Sequence, residues 1–146
     1  MAYGNNTFVA LAGVDGQHSG SPEWEPWYDW SPGDTNLDNT IATSSDGKTW
    51  TKLLASSGGI ATGTCLWDNL KFVNGKFFAY GGKDFGTTGG SAQGLHQQAG
   101  YSLDGRTWTS LNLAWRIDDI EYSKGKYVAI GIEPWGSGVI ATSTNG

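Results

Sequence analysis

Residues 23–30 read Glu23-Trp24-Glu25-Pro26-Trp27-Tyr28-Asp29-Trp30, which sets three indoles and a phenol among three carboxylates within eight positions. An aromatic face stacks on the C–H face of a sugar ring, and neighbouring carboxylates and amides bond its hydroxyls. Trp135 follows a similar Glu133-Pro134 pair, and His96 stands beside Gln97 and Gln98 in a glycine-rich stretch. Trp24, Trp27, Tyr28, Asp29, Trp30, His96 and Trp135 are therefore the candidate ligand-binding residues, with carbohydrate as the ligand. The same side chains suit a second use, because Trp and Tyr are the usual anchors of protein interfaces. A third use is plain packing of the tryptophans onto the chain's own surface.

Other chemistry is thinly represented. Asp118 and Asp119 resemble a glycosidase carboxylate pair, but adjacent strand residues point to opposite faces. Asp34, Asn36 and Asp38 place oxygen ligands at alternate positions, as a calcium loop does. However, Asn39 stands where the loop needs glycine and Ser45 where it needs the closing glutamate. That segment is expected to be an Asx-rich turn, and no metal or other cofactor is assigned. His18 and His96 lack a metal-ligand spacing. Cys65 is the single cysteine and has no adjacent basic residue to activate it, so it is expected to be a buried small apolar side chain. No phosphate loop, nucleophile elbow or zinc motif occurs.

Composition narrows the classes further. In 146 residues there are 23 glycines, 8 tryptophans and only 16% charged residues, a profile of turn-rich all-β chains. Lys+Arg total 9 against 14 Asp+Glu, a net charge of −5, and no basic run is present. Such a surface releases few counterions, so nucleic acid is not an expected partner, and neither is a membrane. The start, Met1-Ala2-Tyr3-Gly4-Asn5-Asn6, lacks the basic and apolar regions of a secretion signal. The expected location is a virion or cell-surface assembly, or otherwise the cytoplasm.

The elements that must position these residues repeat. Ile41-Ala42-Thr43-Ser44-Ser45-Asp46-Gly47-Lys48-Thr49-Trp50-Thr51 returns as Ala99-Gly100-Tyr101-Ser102-Leu103-Asp104-Gly105-Arg106-Thr107-Trp108-Thr109. It begins again as Ile140-Ala141-Thr142-Ser143-Thr144-Asn145-Gly146. Before each copy, an aromatic residue is followed five positions later by another: Tyr3 and Phe8, Phe72 and Phe77, Tyr122 and Tyr127. An Asn- and Gly-rich turn between them predicts a β-hairpin. Aligning Trp67 with Ile117 adds a preceding strand segment. Each unit then reads as four antiparallel strands, and three such units predict an all-β chain of about three propeller blades. Approximate blade bounds are 1–55, 56–113 and 114–146. The second strands are apolar on both faces, as a strand sandwiched between neighbours would be. Their central alanines (Ala10, Ala79, Ala129) allow close approach of adjacent sheets.

The turn chemistry is local. The Asp carboxylate accepts backbone N–H bonds, glycine supplies positive φ, and the tryptophan covers the hairpin. Here the chain resembles the Asp-box (BNR) repeats of sialidases and related propellers, over nearly its whole length apart from the long loops. The family pattern is Ser-x-Asp-x-Gly-x-Thr-Trp. In this chain it is carried by Ser44, Asp46, Gly47, Thr49 and Trp50, then by Ser102, Asp104, Gly105, Thr107 and Trp108, and in part by Ser143 and Asn145. Gly follows Asp directly, and Asn145 replaces the third Asp. The resemblance implies a propeller fold with these residues in a structural role. Sialidases hold their substrate with three arginines and use a tyrosine–glutamate nucleophile. This chain has only Arg106 and Arg116, and Glu121 and Tyr122 are adjacent on one strand. No catalytic residue is assigned.

Connections of unequal length join the second and third strands: about 13–39, 82–98 and 133–138. They fall at equivalent positions, so they are expected to gather on one rim, which carries the candidate binding residues. Three blades with incomplete outer members fall short of a closed ring, so self-association is expected. The function expected is a non-catalytic carbohydrate-binding module. The alternative is a structural or decoration protein whose aromatic rim binds another protein, and a sialidase-related glycosidase comes third.

Overall fold

The computed structural model describes residues 1–12, 40–53, 67, 69–81, 98–133 and 136–146. Among these the chain is all-β, with no helix and three antiparallel sheets. Sheet 1 runs in the order β1 (Ala2–Gly4), β2 (Thr7–Ala12), β3 (Thr40–Ser44), β4 (Thr51–Leu53). Sheet 2 repeats it with β5 (Asn69–Val73), β6 (Lys76–Tyr80), β7 (Gln98–Ser102) and β8 (Thr109–Asn112). Sheet 3 contains β9 (Arg116–Ser123), β10 (Lys126–Ile132) and β11 (Gly138–Ser143). Every sheet is a simple meander, and none closes into a barrel.

The first hairpin of each sheet follows from its turn residues. Asn5-Asn6, Asn74-Gly75 and Lys124-Gly125 all have φ between 46° and 80°. Two successive residues of positive φ are what a two-residue type I′ turn requires, and that turn matches the twist of its strands. Asn and Gly occupy this region readily. The turn fixes the register, so the aromatic residues five apart face each other: Tyr3 pairs Phe8, Phe72 pairs Phe77 and Tyr122 pairs Tyr127. Their ring centroids lie 4.4, 4.7 and 4.8 Å apart.

Alternation along the second strand then decides what packs where. In β6, Phe77 and Ala79 face sheet 1, joining Val9, Ile41, Trp67 and Trp108 in one core. Phe78 and Tyr80 face the other way, joining Ile117, Ile120, Tyr127 and Ala129 of sheet 3. The middle sheet is thus buried on both sides, as its sequence predicts. Each buried aromatic side chain stabilises the stack by about 1.5–3 kcal/mol. Ala79 and Ala129 are buried at the joins, where the sheets meet closely. Gly4 shows how closely: a Cβ there would lie 2.3 Å from the Phe72 ring. The two joins share a contact pattern, with β1 on β5 and β5 on β9.

The outer sheets depart from the expected sandwiching. Val128, Ile130 and Ile140 of sheet 3 are exposed, because no described element lies over that face. Sheet 1 is open on its opposite side, at Tyr3 and Trp50.

Lys124 is the one turn residue of this set that is neither Asn nor Gly, and it holds φ +50°. A lysine Cβ is crowded in that conformation, whereas asparagine tolerates it. Lys124→Asn is expected to raise the unfolding free energy by up to about 1 kcal/mol. Urea denaturation of the two proteins checks this, and a loss of stability would contradict the turn assignment.

Candidate functional site

Two polar constellations stand out among the described residues. The first is the turn between the third and fourth strands. Ser44 Oγ donates to Asp46 Oδ1 at 2.9 Å and accepts the Gly47 N–H at 2.9 Å. Asp46 Oδ1 in turn accepts the N–H groups of Lys48 and Thr49, both at 2.8 Å. The second copy repeats these four bonds. Ser102 Oγ donates to Asp104 at 3.0 Å and accepts Gly105 N–H at 2.8 Å, while Asp104 accepts Arg106 and Thr107 N–H at 2.8 Å. Ser143, Asn145 and Gly146 repeat the opening half, with an amide oxygen in place of the carboxylate. Gly47 and Gly105 have φ of 71° and 75°, as the sequence predicts.

Gly105 has a second reason to be glycine. A Cβ there would lie 2.4 Å from Val9 and close to Thr7 and Thr43. The turn of sheet 2 therefore sits on the face of sheet 1. Gly146 repeats this on sheet 2, against Lys76 and Phe78. Trp108 does more than cover its own hairpin. It is 3% exposed, its ring lies 5.4 Å from Trp67, and its Nε1–H donates to Gly105 O at 3.1 Å. Trp50, its counterpart in sheet 1, is 38% exposed.

Further bonds tie the turns of neighbouring sheets together. Asn5 Nδ2 donates to Gly75 O at 3.0 Å and Leu103 O at 2.9 Å. Asn74 Nδ2 donates to the Tyr127 hydroxyl at 3.0 Å, and Lys76 Nζ donates to Asn145 O. All these turns share one end of the stack. The strand ends flanking 13–39, 82–97 and the Glu133–Ser137 bridge consequently lie at the opposite end.

The second constellation crosses between sheets 2 and 3. Lys71 of β5 donates to Asp119 at 3.1 Å and to Glu121, and the Tyr80 hydroxyl donates to Asp119 at 3.2 Å. Asp119 also accepts the Ile120 N–H at 2.8 Å. The Lys71 ammonium holds the Asp119 carboxyl below its ordinary value, helped by the Ile120 and Tyr80 bonds against partial burial. Glu121 raises the Lys71 ammonium. Burial, with Asp119 nearby, pushes the Tyr80 phenol up to about 12, so it stays protonated and is a poor nucleophile. Asp118 turns away and accepts Arg116 Nε–H at 2.8 Å. The adjacent aspartates therefore have separate partners, and the register shift opposite Ile130 and Gly131, which leaves Asp118 unpaired across the strands, interrupts the simple alternation expected there. This cluster has no signature in the sequence, because its members lie 48 and 50 positions apart without a local pattern.

Trp24, Trp27, Tyr28, Asp29, Trp30, His96 and Trp135 all lie outside the described residues, as do Asp34, Asn36, Asp38, His18 and Cys65. Among the described residues no group of three His, Cys, Asp or Glu could hold a metal ion. In comparisons with known proteins, no family model and no curated protein matches the chain.

The turn network makes two expectations. Ser102 is buried, and Ser102→Ala would leave the Gly105 N–H without its acceptor at the join. The cost should be about 1–3 kcal/mol in urea unfolding. An unchanged midpoint would show that the serine is dispensable. The second concerns acid. Backbone N–H bonds from Thr49 and Lys48, with Ser44, draw the exposed Asp46 carboxyl down to about 2. Burial raises Asp104, but the Thr107 and Arg106 N–H bonds outweigh it and leave it below its ordinary value. A carboxyl lowered by folding contributes stability that is present above its unfolded value, 3.8, and fades as pH falls toward 2. Stability should decline in that window, and the decline should shrink in an Asp46→Asn/Asp104→Asn variant. Identical acid profiles would remove these carboxyls from the account.

Proposed function

We propose that the chain is a three-bladed β-propeller segment of the Asp-box type, working as a non-catalytic recognition module for carbohydrate. The observation that carries this reading is the polarity of the stack. One end is closed by hydrogen-bonded turns, so the two long connections and the short third bridge begin and finish at the other. The sequence between those strand ends contains Trp24, Trp27, Tyr28, Asp29, Trp30, His96 and Trp135. A rigid β stack that concentrates aromatic loops on one rim is a common design for binding.

The propeller reading draws support from three meanders of one topology, stacked through two like joins with the first strands adjacent. The non-catalytic reading draws support from five of the six described carboxylates. Asp46 and Asp104 are engaged by turn N–H groups, Asp118 by Arg116, and Asp119 and Glu121 by Lys71. A general acid or nucleophile is best served by a pKa near the working pH, which means a carboxyl raised or a phenol lowered from its ordinary value. Asp119 is lowered, and Tyr80 is hydrogen-bonded and raised to about 12.

The test is a glycan array followed by titration of the best ligand. The wild-type chain should bind one class of glycan. Trp27→Ala and Trp30→Ala should each weaken it by about 1–3 kcal/mol, roughly 5–150-fold, as lost stacking platforms do. An array with no binder, together with capture of a protein through the same tryptophans, would replace carbohydrate by a protein partner.

A further inference from the structure

The two open faces of the stack correspond, position for position, to the two sides of the joins already made inside it. At the first join, sheet 1 presents Thr7, Val9, Ile41 and Thr43 to the Gly105 turn and Trp108 of sheet 2. At the second, sheet 2 presents Lys76 and Phe78 to the Gly146 turn of sheet 3. The repeat alignment puts Lys126, Val128, Ile140 and Thr142 of sheet 3 in the places of Thr7, Val9, Ile41 and Thr43. Among the described residues nothing covers this third receiving face. Val128 is 36%, Ile130 48% and Ile140 78% exposed. At the other end, Tyr3, Phe8, Gly47 and Trp50 of sheet 1 occupy the places of Phe72, Phe77, Gly105 and Trp108. There the presenting side is also uncovered, with Tyr3 54% and Trp50 38% exposed.

The geometry points to head-to-tail docking of a second copy of this chain, sheet 1 of one on sheet 3 of the other. Gly47 of one copy sits over Val128 of its partner, as Gly105 sits over Val9 within the chain. Trp50 covers Val128 and Ile140, as Trp108 joins Val9 and Ile41 in the first core. The join is heterologous, so two copies make it twice and close when the turn from sheet to sheet brings six of them round to the start. Two copies supply about six blades, within the usual range of closed propellers. Docking follows from the repeated join alone. Closure into a ring rests on the propeller reading, and neither depends on what the rim binds.

Analytical ultracentrifugation of the wild-type chain and two variants tests the proposal. The wild type should sediment at twice the chain mass. Trp50→Asp and Ile140→Asp each place a carboxylate in the apolar join and should weaken association about tenfold or more. Ile140 is exposed, so its variant should keep the wild-type circular dichroism. Should Trp50→Asp fail to fold, Tyr3→Asp takes its place on the same face. The deciding measurement is a mixture of the two variants. Each retains the face that the other has lost, so the mixture should recover a two-chain species that neither forms alone. Small-angle scattering of the wild-type dimer should give a disc with a central hollow. A monomeric wild type, whose open faces would then belong to further repeats or to another protein, overturns the proposal. An Ile140→Asp variant that stays dimeric overturns it too, as does a mixture that stays monomeric. Polydisperse polymers would overturn closure at two copies, and an elongated dimer would overturn the ring.

Discussion

The stack depends on one contact, a serine–aspartate turn pressed flat against the face of the neighbouring sheet. The aspartate gathers the N–H groups that a tight reversal leaves unpaired, and the serine hydroxyl gathers the glycine N–H. With its polar groups satisfied internally, the turn can be laid on an apolar surface at little desolvation cost. Glycine then lets backbone approach where a side chain would strike Val9. Removing the serine leaves the buried Gly105 N–H unpaired, and a side chain at Gly105 forces the sheets apart. The same contact carries the tryptophan into the join, which links turn chemistry directly to core packing.

Much of this was legible in the chain itself. Aromatic residues five apart around Asn-Gly specify a two-residue hairpin, because only one register puts them opposite each other. The Asp-Gly-x-Thr-Trp pattern specifies its own hydrogen bonds, since donors and acceptors lie within a few residues. The apolar run Phe77-Phe78-Ala79-Tyr80 announced a strand covered on both faces. What connects sheets was harder to read. Lys71 meets Asp119 and Glu121 only after two hairpins have been folded and stacked, and no spacing encodes that meeting. The destination of Trp108 was likewise hidden, because a hairpin cover and an inter-sheet wedge look alike in sequence. The tryptophan-rich segment at 24–30, the most suggestive for binding, lies outside the described residues, so its use rests on chemistry and on the positions of its flanking strands.

The polar cluster at the second join illustrates how carboxylates in this chain are used. Asp119 takes three donors, from an ammonium, a phenol and a backbone N–H. Each bond lowers the charged form's energy, so the group is settled rather than reactive. Tyr80 is fixed by the same partner. The pair resembles catalytic furniture in its residue types, yet its energetics are those of a clasp between adjacent sheets. Residue identity nominates chemistry, and partners decide it.

Each sheet has one side that gives a turn and another that receives one, so the stack has a direction, like a row of cups nested rim to base. Such a row can grow or shrink by whole units while every seam keeps its original fit. Duplication of one coding unit would therefore yield a longer stack without any new surface having to be invented. The seams among the described residues are made by strands and turns, so the sequence between the second and third strands can differ from unit to unit without altering them.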